Sequence, residues 1–406
     1  MGLTDRVALV TDTSGGPGER IARTLAAALF MCLIATCAAA EPVLHAKGRV
    51  GDQAVDTTVD SAIARYYLEE YLAGRSGPTE TDQRIREALK QSDALPLTNT
   101  LLRDLTERFS CDFATLYFVD RVYREDTNRR FQQAFHAHLA AVRAVKGSLA
   151  LPAAHKQYLI TFVPGYAYET DPMTGADFAG PRRLLDRAGL ETVLIETEEL
   201  ANIEENARII AQQLVRLAQR RRPIVLVSTS KAGPEVALAL GRELTPGQSQ
   251  AVVAWISIGG LLRGSPYADW ASKWPKNWVA GLVFWSQGLK PKVIRNLTTT
   301  ERRPVFESLT FPDHIFMVQW VGAPLSGHIK KYARHRYNVI KKIGPNDGLT
   351  LLADEIIPGG VVITDIGLDH YYRDPEIDLK TFALANVVLE ELERKESADF
   401  PDRMTE

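Results

Sequence analysis

The sequence predicts an α/β fold, with a mostly parallel sheet that carries helices on both faces. From about residue 155 onward, strand-like and helix-like segments alternate along the chain. Such alternation is typical of a parallel sheet flanked by helices. In addition, the apolar run 223–227 leads through a short Ser-rich turn straight into an Ala/Leu-rich helix, which is the local pattern of a strand-to-helix junction in such a sheet.

The predicted elements follow the pattern of apolar residues. Strands are predicted over 158–163, 192–195, 223–227, 251–258, 315–321 and 361–364. Helices are predicted over 180–188, 202–220 and 378–395, with a further helix that starts near Lys231. The segment 202–220 has apolar residues on one stripe, as expected of a helix that packs on a sheet. We therefore assign residues 151–396 to this domain and expect a disordered tail over 397–406.

Residues 41–150 read as a helical N-terminal extension. Apolar residues recur at helical spacing in the segments 61–72, 82–89, 99–109 and 126–145. We expect this extension to pack on the domain that follows, and the sequence assigns it no function.

Residues 1–40 have the three parts of a secretory signal peptide. Arg20 and Arg23 precede an apolar run over 25–35, and Ala38–Ala40 supplies a small-residue cleavage site. The run is too short for a permanent membrane span. We expect export to the periplasm or medium with cleavage after Ala40, and a buried N-terminal helix is the alternative.

Charge and composition exclude several classes of function. The net charge of −2 gives no electrostatic reason to expect a nucleic-acid partner. The three cysteines form no C-x-x-C pair, and the eight histidines show no H-E-x-x-H spacing. We therefore expect neither a metal site nor a cofactor.

The turn after the run 223–227 is the strongest functional signal. It reads Ser228-Thr229-Ser230-Lys231-Ala232, a small-x-Ser-x-small pattern between a strand and a helix. This is the layout of a nucleophile elbow, in which a sharp turn exposes a serine hydroxyl at the top of a parallel sheet. An ordinary βα junction is the alternative interpretation. A lysine directly after the serine is expected to face solvent.

The order of parts resembles the α/β-hydrolase fold, and most closely its lipase and esterase members. The resemblance covers about 155–395 and rests on the elbow and on four further loops, 163–166, 259–266, 345–349 and 368–370. In that family the catalytic triad runs in the order Ser, acid, His along the chain. The resemblance thus implies Ser230 as nucleophile, Asp347 as acid and His370 as base, with the backbone N–H groups of Tyr166 and Lys231 as the oxyanion hole.

Other residues compete for these roles. The motif that holds Asp347 is also an ordinary turn sequence, and Asp354 and Asp313 are the other acids nearby. Asp369 is expected in solvent. The competing bases are His314, His328 and His335.

The segment 261–312 is predicted to be an insertion that forms a lid. It contains four of the six tryptophans, which are Trp270, Trp274, Trp278 and Trp285. They either pack a helical cap onto the core or line a mobile lid over an apolar pocket, and both can hold together.

We expect a serine hydrolase that cleaves carboxylic esters through an acyl-enzyme. The tryptophan-rich insertion favours a hydrophobic or lipid-like ester. The expected partner is a small-molecule or lipid ester, with a membrane or lipid surface as a further partner. Two alternatives use the same fold: an amidase or peptidase with the same triad, and a non-catalytic binding protein.

A third alternative is a dinucleotide-dependent reductase. Residues 1–25 resemble the opening of a short-chain dehydrogenase, with Thr11, Gly16 and Gly18 at matching places. However, Asp12 stands where that family has its first glycine, and no Tyr-x-x-x-Lys follows.

Overall fold

The computed structural model describes residues 44–75, 77–144, 151–170, 175–273 and 291–399. The predicted signal-peptide-like segment and three tryptophans of the predicted lid, Trp274, Trp278 and Trp285, lie outside the described residues. The described residues belong to one compact unit, Val43–Glu406.

Six parallel strands form the central sheet, as the sequence predicts. They are β3 (Leu159–Val163), β4 (Glu191–Leu194), β5 (Ile224–Thr229), β6 (Val252–Ile258), β7 (Phe316–Ala323) and β8 (Val361–Ile366). Their order across the sheet is β4-β3-β5-β6-β7-β8. The carboxyl ends of parallel strands meet at one edge, so the loops that follow β3, β5, β6 and β8 share that edge.

Helices cover both faces of the sheet, and the prediction of an α/β fold is confirmed. The helices within and after the sheet are α6 (Ala179–Arg187), α7 (Ile203–Ala218), α8 (Ala232–Leu238), α9 (Pro246–Ser249), α10 (Pro266–Ser272), α11 (Pro291–Asn296), α12 (Thr299–Glu307), α13 (Arg334–Ile340) and α14 (Ile377–Asp399). Because α14 extends to Asp399, the first residues of the tail predicted over 397–406 are helical.

Side chains of β5 alternate between two hydrophobic cores. Val225 and Val227 pack in the core with α6 and α14. Ile224 and Leu226 pack in the opposite core with α7 and α8. This alternation places a helix layer on each face and explains why the strand is apolar at every position.

The N-terminal extension is helical, but it begins with a hairpin that the sequence patterns did not predict. The hairpin consists of β1 (Leu44–Val50) and β2 (Gln53–Val59), and the helices are α1 (Ala62–Tyr66, continued by a π-helical turn), α2 (Glu80–Ser92), α3 (Asn99–Arg108), α4 (Cys111–Arg124) and α5 (Asp126–Ala144). A Ser or Thr hydroxyl caps the N-terminus of each of the first four helices: Ser61, Thr79, Thr98 and Ser110. Such caps satisfy N–H groups that have no partner inside the helix.

The extension covers the edge strand β8 and binds its free backbone donors. The side-chain oxygen of Asn128 accepts the N–H of Val362 at 2.8 Å, and that of Gln132 accepts the N–H of Thr364 at 2.9 Å. Gln53 of β2 accepts the N–H of Ile366 at 2.9 Å. An exposed sheet edge would otherwise be free to pair with another chain. The extension thus completes the sheet that carries the candidate site.

No helix among the described residues is long and apolar enough to cross a membrane. The predictions of export and of the domain boundaries stay predictions.

Candidate active site

Ser230 occupies a sharp turn between β5 and α8. Its φ angle is +53°, in the left-handed region that a residue with a side chain rarely adopts. The turn is held by three backbone hydrogen bonds: Ser230 N–H to the Ile258 carbonyl at 3.2 Å, and Gly233 N–H and Leu261 N–H to the Ser230 carbonyl at 3.0 and 3.1 Å. The predicted elbow therefore has the strained geometry that presents a hydroxyl above the sheet.

Small residues surround the turn because other backbone segments approach it closely. A Cβ atom on Gly233 would lie 2.8 Å from the Cα atom of Gly260. Ser228 and Ala232 are fully buried, and the Ser228 hydroxyl accepts the indole N–H of Trp255 at 2.9 Å. Gly233, one residue beyond the small positions that the motif contains, is thus also held to glycine by a close backbone contact.

His370 lies in the loop after β8 and reaches the serine. Its Nε2 is 2.9 Å from the Ser230 hydroxyl, and its Nδ1 is 2.6 Å from the Oδ2 of Asp347. The backbone N–H of His370 also donates to the Asp347 carbonyl at 2.8 Å, so both backbone and side chain join the two loops. If Nδ1–H donates to the carboxylate, the unprotonated Nε2 can accept the serine proton.

Asp347 both forms a turn and contacts His370, so the two interpretations of its motif, turn residue and acid, hold together. Its Oδ1 accepts the backbone N–H groups of Leu349 and Thr350, both at 2.8 Å, and thereby forms a turn. Its Oδ2 remains directed at His370. The carboxylate is fully buried, so the turn fixes its orientation toward the imidazole.

The competing acids and bases lie elsewhere or have other partners. Asp354 forms an ion pair with Arg303 at 3.0 Å. His314 Nε2 contacts the Ser249 carbonyl at 3.2 Å, and burial lowers the pKa of His328 to about 4. His335 packs its ring against Tyr267 and Trp270. None of these competing side chains takes the place of Asp347 or His370 beside Ser230.

Two expectations of solvent exposure are wrong. Asp369 is only 4% exposed, and burial together with the nearby Asp347 charge raises its pKa to about 6. Lys231 is only 3% exposed, because its ammonium group forms an ion pair at 2.6 Å with the buried Glu235 carboxylate. A buried lysine requires such a partner, since an unpaired charge in the protein interior is costly.

Glu235 and Asn206 are residues of the site region that the sequence analysis missed. Asn206 of α7 donates its side-chain N–H to Glu235 at 2.8 Å, so the ion pair is also joined to a second helix. The four-residue spacing of Lys231 and Glu235 along a helix was the available signal, because residues so spaced lie on one face.

The predicted oxyanion donors both line the cavity beside the serine. Lys231 is the residue that precedes α8, so its backbone N–H lies at the N-terminal end of that helix. Tyr166 follows β3, and the adjacent Gly165 packs near the side chain of Thr229, where a Cβ atom would lie 3.1 Å from it. The loop after β3 is therefore beside the end of β5, as the prediction requires.

A cavity of about 880 Å³ opens at Ser230 and His370. Its wall is largely apolar, with side chains that include Ala167, Phe178, Ile258, Leu261, Leu297 and Ile377. Helices α10 and α11, from the predicted lid segment, contribute part of this wall. Trp270 of α10 stacks on Tyr267 with ring centroids 5.3 Å apart, so this tryptophan packs within the cap.

Within the described ranges, no group of three or more His, Cys, Asp or Glu side chains could hold a metal ion. The polar groups at the cavity are instead arranged as a hydroxyl, an imidazole and a carboxylate in series. Such a series can activate a hydroxyl as a nucleophile.

Two solved structures to which this chain is similar are named as an esterase and a lipase. The chain is similar to the metagenomic carboxyl esterase MGS0156, with 20% identity and a TM-score of 0.52, over 64% of this chain and 91% of that one. It also aligns with the mature form of the Bacillus licheniformis lipase BlEst2, with 20% identity and a TM-score of 0.47, over 60% of this chain and 96% of that one. No protein-family model and no curated protein matches the sequence.

Proposed function

We propose that this chain, which has the α/β-hydrolase fold, is a serine hydrolase that cleaves carboxylic esters. The observation that carries the proposal is the series of contacts from the Ser230 hydroxyl to His370 Nε2 at 2.9 Å and from His370 Nδ1 to Asp347 at 2.6 Å. The separation of these atoms is that of a nucleophile, its general base and the carboxylate that orients the base.

The proposed reaction uses these three groups in two steps. Ser230 attacks the ester carbonyl while His370 takes its proton, and His370 then gives that proton to the leaving alcohol. Water hydrolyses the resulting acyl-enzyme by the same route in reverse, which releases the acid and restores the serine. Asp347 holds the imidazole tautomer and stabilises the imidazolium that forms in each step.

The proposed oxyanion hole consists of the N–H groups of Lys231 and Tyr166. Negative charge develops on the carbonyl oxygen during attack, and two fixed N–H donors stabilise it. The position of Lys231 before helix α8 supports its part, because the N-terminal end of a helix favours negative charge. Removal of one such donor typically costs about 3–4 kcal/mol of transition-state stabilisation.

A hydrophobic ester is the substrate that the cavity wall favours. Apolar side chains line most of the space beside Ser230, and burial of an acyl chain there contributes about 0.8 kcal/mol per CH₂ group. We therefore propose that kcat/KM increases with acyl-chain length until the cavity is filled.

The test is covalent labelling of the full chain with a fluorophosphonate probe. We expect the wild type to be labelled and Ser230→Ala to remain unlabelled, with circular dichroism showing that both are folded. Esters of increasing acyl length then test the preference for hydrophobic substrates. A folded wild type that neither reacts with the probe nor hydrolyses any of these esters would favour the non-catalytic binding protein.

A further inference from the structure

Two arginines, Arg336 and Arg373, line the cavity near His370. The guanidinium carbons of Arg336 and Arg373 are each 5.7 Å from the centroid of the Tyr371 ring. That ring lies edge-on to His370, with centroids 6.0 Å apart. All four residues line the cavity. Both guanidinium groups therefore lie near the same ring, which directly adjoins the proposed catalytic base.

Aromatic rings position both guanidinium groups. Arg373 also lies over Tyr332 at 4.5 Å from its centroid, and Arg336 lies 5.8 Å from the centroid of Tyr267. Stacking on an aromatic face holds the plane of a guanidinium while its N–H groups stay available at the edge. The aromatic contacts thus hold the two arginines while their N–H groups form no hydrogen bond with a described carboxylate.

Within the described ranges, neither guanidinium forms an ion pair with a carboxylate. Among the described residues, no ion pair joins Arg336 or Arg373 to an acid, in contrast to Lys231, which is paired with Glu235. Of the described carboxylates, two line the cavity: Glu199 binds backbone N–H groups of the loop after β3, and Asp378 packs against Gly180.

Asp369 lies in the same loop as Arg373 but has a different partner. It is buried, and its Oδ1 accepts the backbone N–H of Tyr371 at 3.1 Å. Among the described residues, the positive charge near Tyr371 is therefore not neutralised by an ion pair.

We infer that Arg336 and Arg373 form a subsite for a carboxylate or phosphate group on the alcohol half of the ester, an inference that rests on the proposed function. Paired guanidinium groups suit both anions, because each guanidinium can donate two parallel N–H bonds to their oxygens. The subsite belongs to the alcohol half because His370 must protonate the leaving oxygen. The alcohol therefore passes the imidazole, and we place the arginines on that side because both adjoin Tyr371, the residue next to His370.

The inference names a class of substrate with two distinct ends. A hydrophobic acyl chain fills the apolar part of the cavity, and an anionic alcohol is held at the arginines. The hydrolysis itself is unchanged: the serine–carbonyl bond forms, the carbonyl–alcohol bond breaks, and the alcohol leaves with the proton from His370 and its anionic group intact.

Matched pairs of esters test the subsite. One pair is decanoylglycerol and decanoylglycerol phosphate, and the other is the decanoyl ester of hydroxypropanamide and that of hydroxypropanoate. We expect kcat/KM to favour the anionic member of at least one pair by about tenfold, chiefly through a lower KM. Which pair shows the larger preference distinguishes phosphate from carboxylate. The preference should weaken at about 0.5 M NaCl because salt screens exposed charges.

The variant Arg336→Gln/Arg373→Gln should bring the ratio of anionic to neutral kcat/KM close to one. Arg334→Gln, an exposed arginine on the same helix that does not line the cavity, is the matched control and should keep the wild-type ratio. A wild-type ratio of anionic to neutral kcat/KM near one would overturn the inference, and so would a preference that persists in the double variant. In either case, hydrolysis of the neutral esters would still support the proposed function.

A binding measurement separates the subsite from catalysis. Calorimetry with Ser230→Ala should show that decanoylglycerol phosphate or the hydroxypropanoate ester binds about tenfold more tightly than its neutral counterpart, and that the double arginine substitution removes this difference. Equal binding of both members in both pairs would refute the subsite. Failure of the proposed function would instead appear as loss of labelling and turnover with the binding difference intact.

Discussion

The ammonium group of Lys231 lies 2.6 Å from the carboxylate of Glu235, in a buried ion pair that begins one residue after Ser230. Burial raises the pKa of Glu235, against the opposing effects of the Lys231 charge and of the hydrogen bonds from Lys231 and Asn206. The pair ties a proposed oxyanion donor to α8 and, through Asn206, to α7. It therefore links the packing of two helices to the position of one backbone N–H group.

Removal of one charge from this pair should destabilise the fold strongly. Glu235→Gln leaves a buried ammonium without its counter-charge, and such a change typically costs about 3–5 kcal/mol. Lys231→Met/Glu235→Leu should recover most of that loss, because apolar side chains need no partner. Urea unfolding measures both. The exposed pair Arg103 and Glu107 has the same four-residue spacing and is the control, with Glu107→Gln expected to cost less than about 1 kcal/mol. A loss in Glu235→Gln no larger than in this control would contradict the prediction.

The strained backbone at Ser230 makes a second prediction. At a φ of +53° an L-residue is disfavoured relative to glycine by about 1–2 kcal/mol. Ser230→Gly should therefore be more stable than Ser230→Ala, although both lack the nucleophile. Thermal unfolding of the two inactive variants compares them directly. Equal or lower stability of Ser230→Gly would show that the greater freedom of glycine in the unfolded chain outweighs the relief of strain.

The third prediction concerns the side-chain oxygens that accept backbone N–H groups of the edge strand β8. Gln132→Leu leaves the buried N–H of Thr364 without its acceptor, and an unsatisfied buried donor costs about 1–3 kcal/mol. The neighbouring Gln133 is exposed, so Gln133→Leu on the same helix should change stability by less than about 0.5 kcal/mol. Chemical unfolding monitored by circular dichroism gives both values. Equal effects of the two substitutions would mean that the edge strand does not depend on this acceptor.

The sequence predicts the sheet well because each strand is encoded by a local apolar run. The run 223–227 and the turn after it suffice to predict β5, Ser230 and α8, since the burial of one segment and the sterics of one turn are local properties. The loops that hold Asp347 and His370 follow from the parallel order of the strands, which brings their carboxyl ends to one edge.

Other features depend on partners far along the chain and could not be predicted from local patterns. Gln53 and Ile366 form a hydrogen bond although they lie 313 positions apart in the sequence. No periodic pattern of apolar residues predicts that the hairpin with Gln53 packs beside this strand. Lys231 was expected in solvent because lysines are rarely buried without a paired charge, and the pairing with Glu235 inside the core emerges only when α7 and α8 pack together.

The buried Asp112 carboxyl and its neighbour Asp60 lead us to predict that the stability of the fold depends on pH. Asp112 Oδ2 accepts the backbone N–H of Asp60 at 2.7 Å, and its Oδ1 accepts the N–H of Ser326 at 2.9 Å. Burial, followed by the charge of Asp60, raises the pKa of Asp112 from 3.8 to about 7. The pair joins the start of α1 to the loop after β7.

The sign of the pH effect follows from proton binding. Between pH 3.8 and about 7 the folded protein holds a proton on this pair that the unfolded chain has released. The contribution to the free energy of unfolding is therefore fully present below pH 3.8, falls as the pH rises, and is lost above about pH 7. Asp112→Asn carries no titrating carboxyl at this position, so its stability relative to the wild type should increase across the same window, by at most about 1.4 kcal/mol per pH unit.

Urea unfolding at several pH values between 5 and 8 measures this difference. Asp104→Asn, at an exposed aspartate on α3, should show no such trend. A wild type and an Asp112→Asn variant whose stabilities stay parallel across the window would mean that Asp112 is already ionised in the folded protein, with Ser326 and the other donors sufficient to hold its charge.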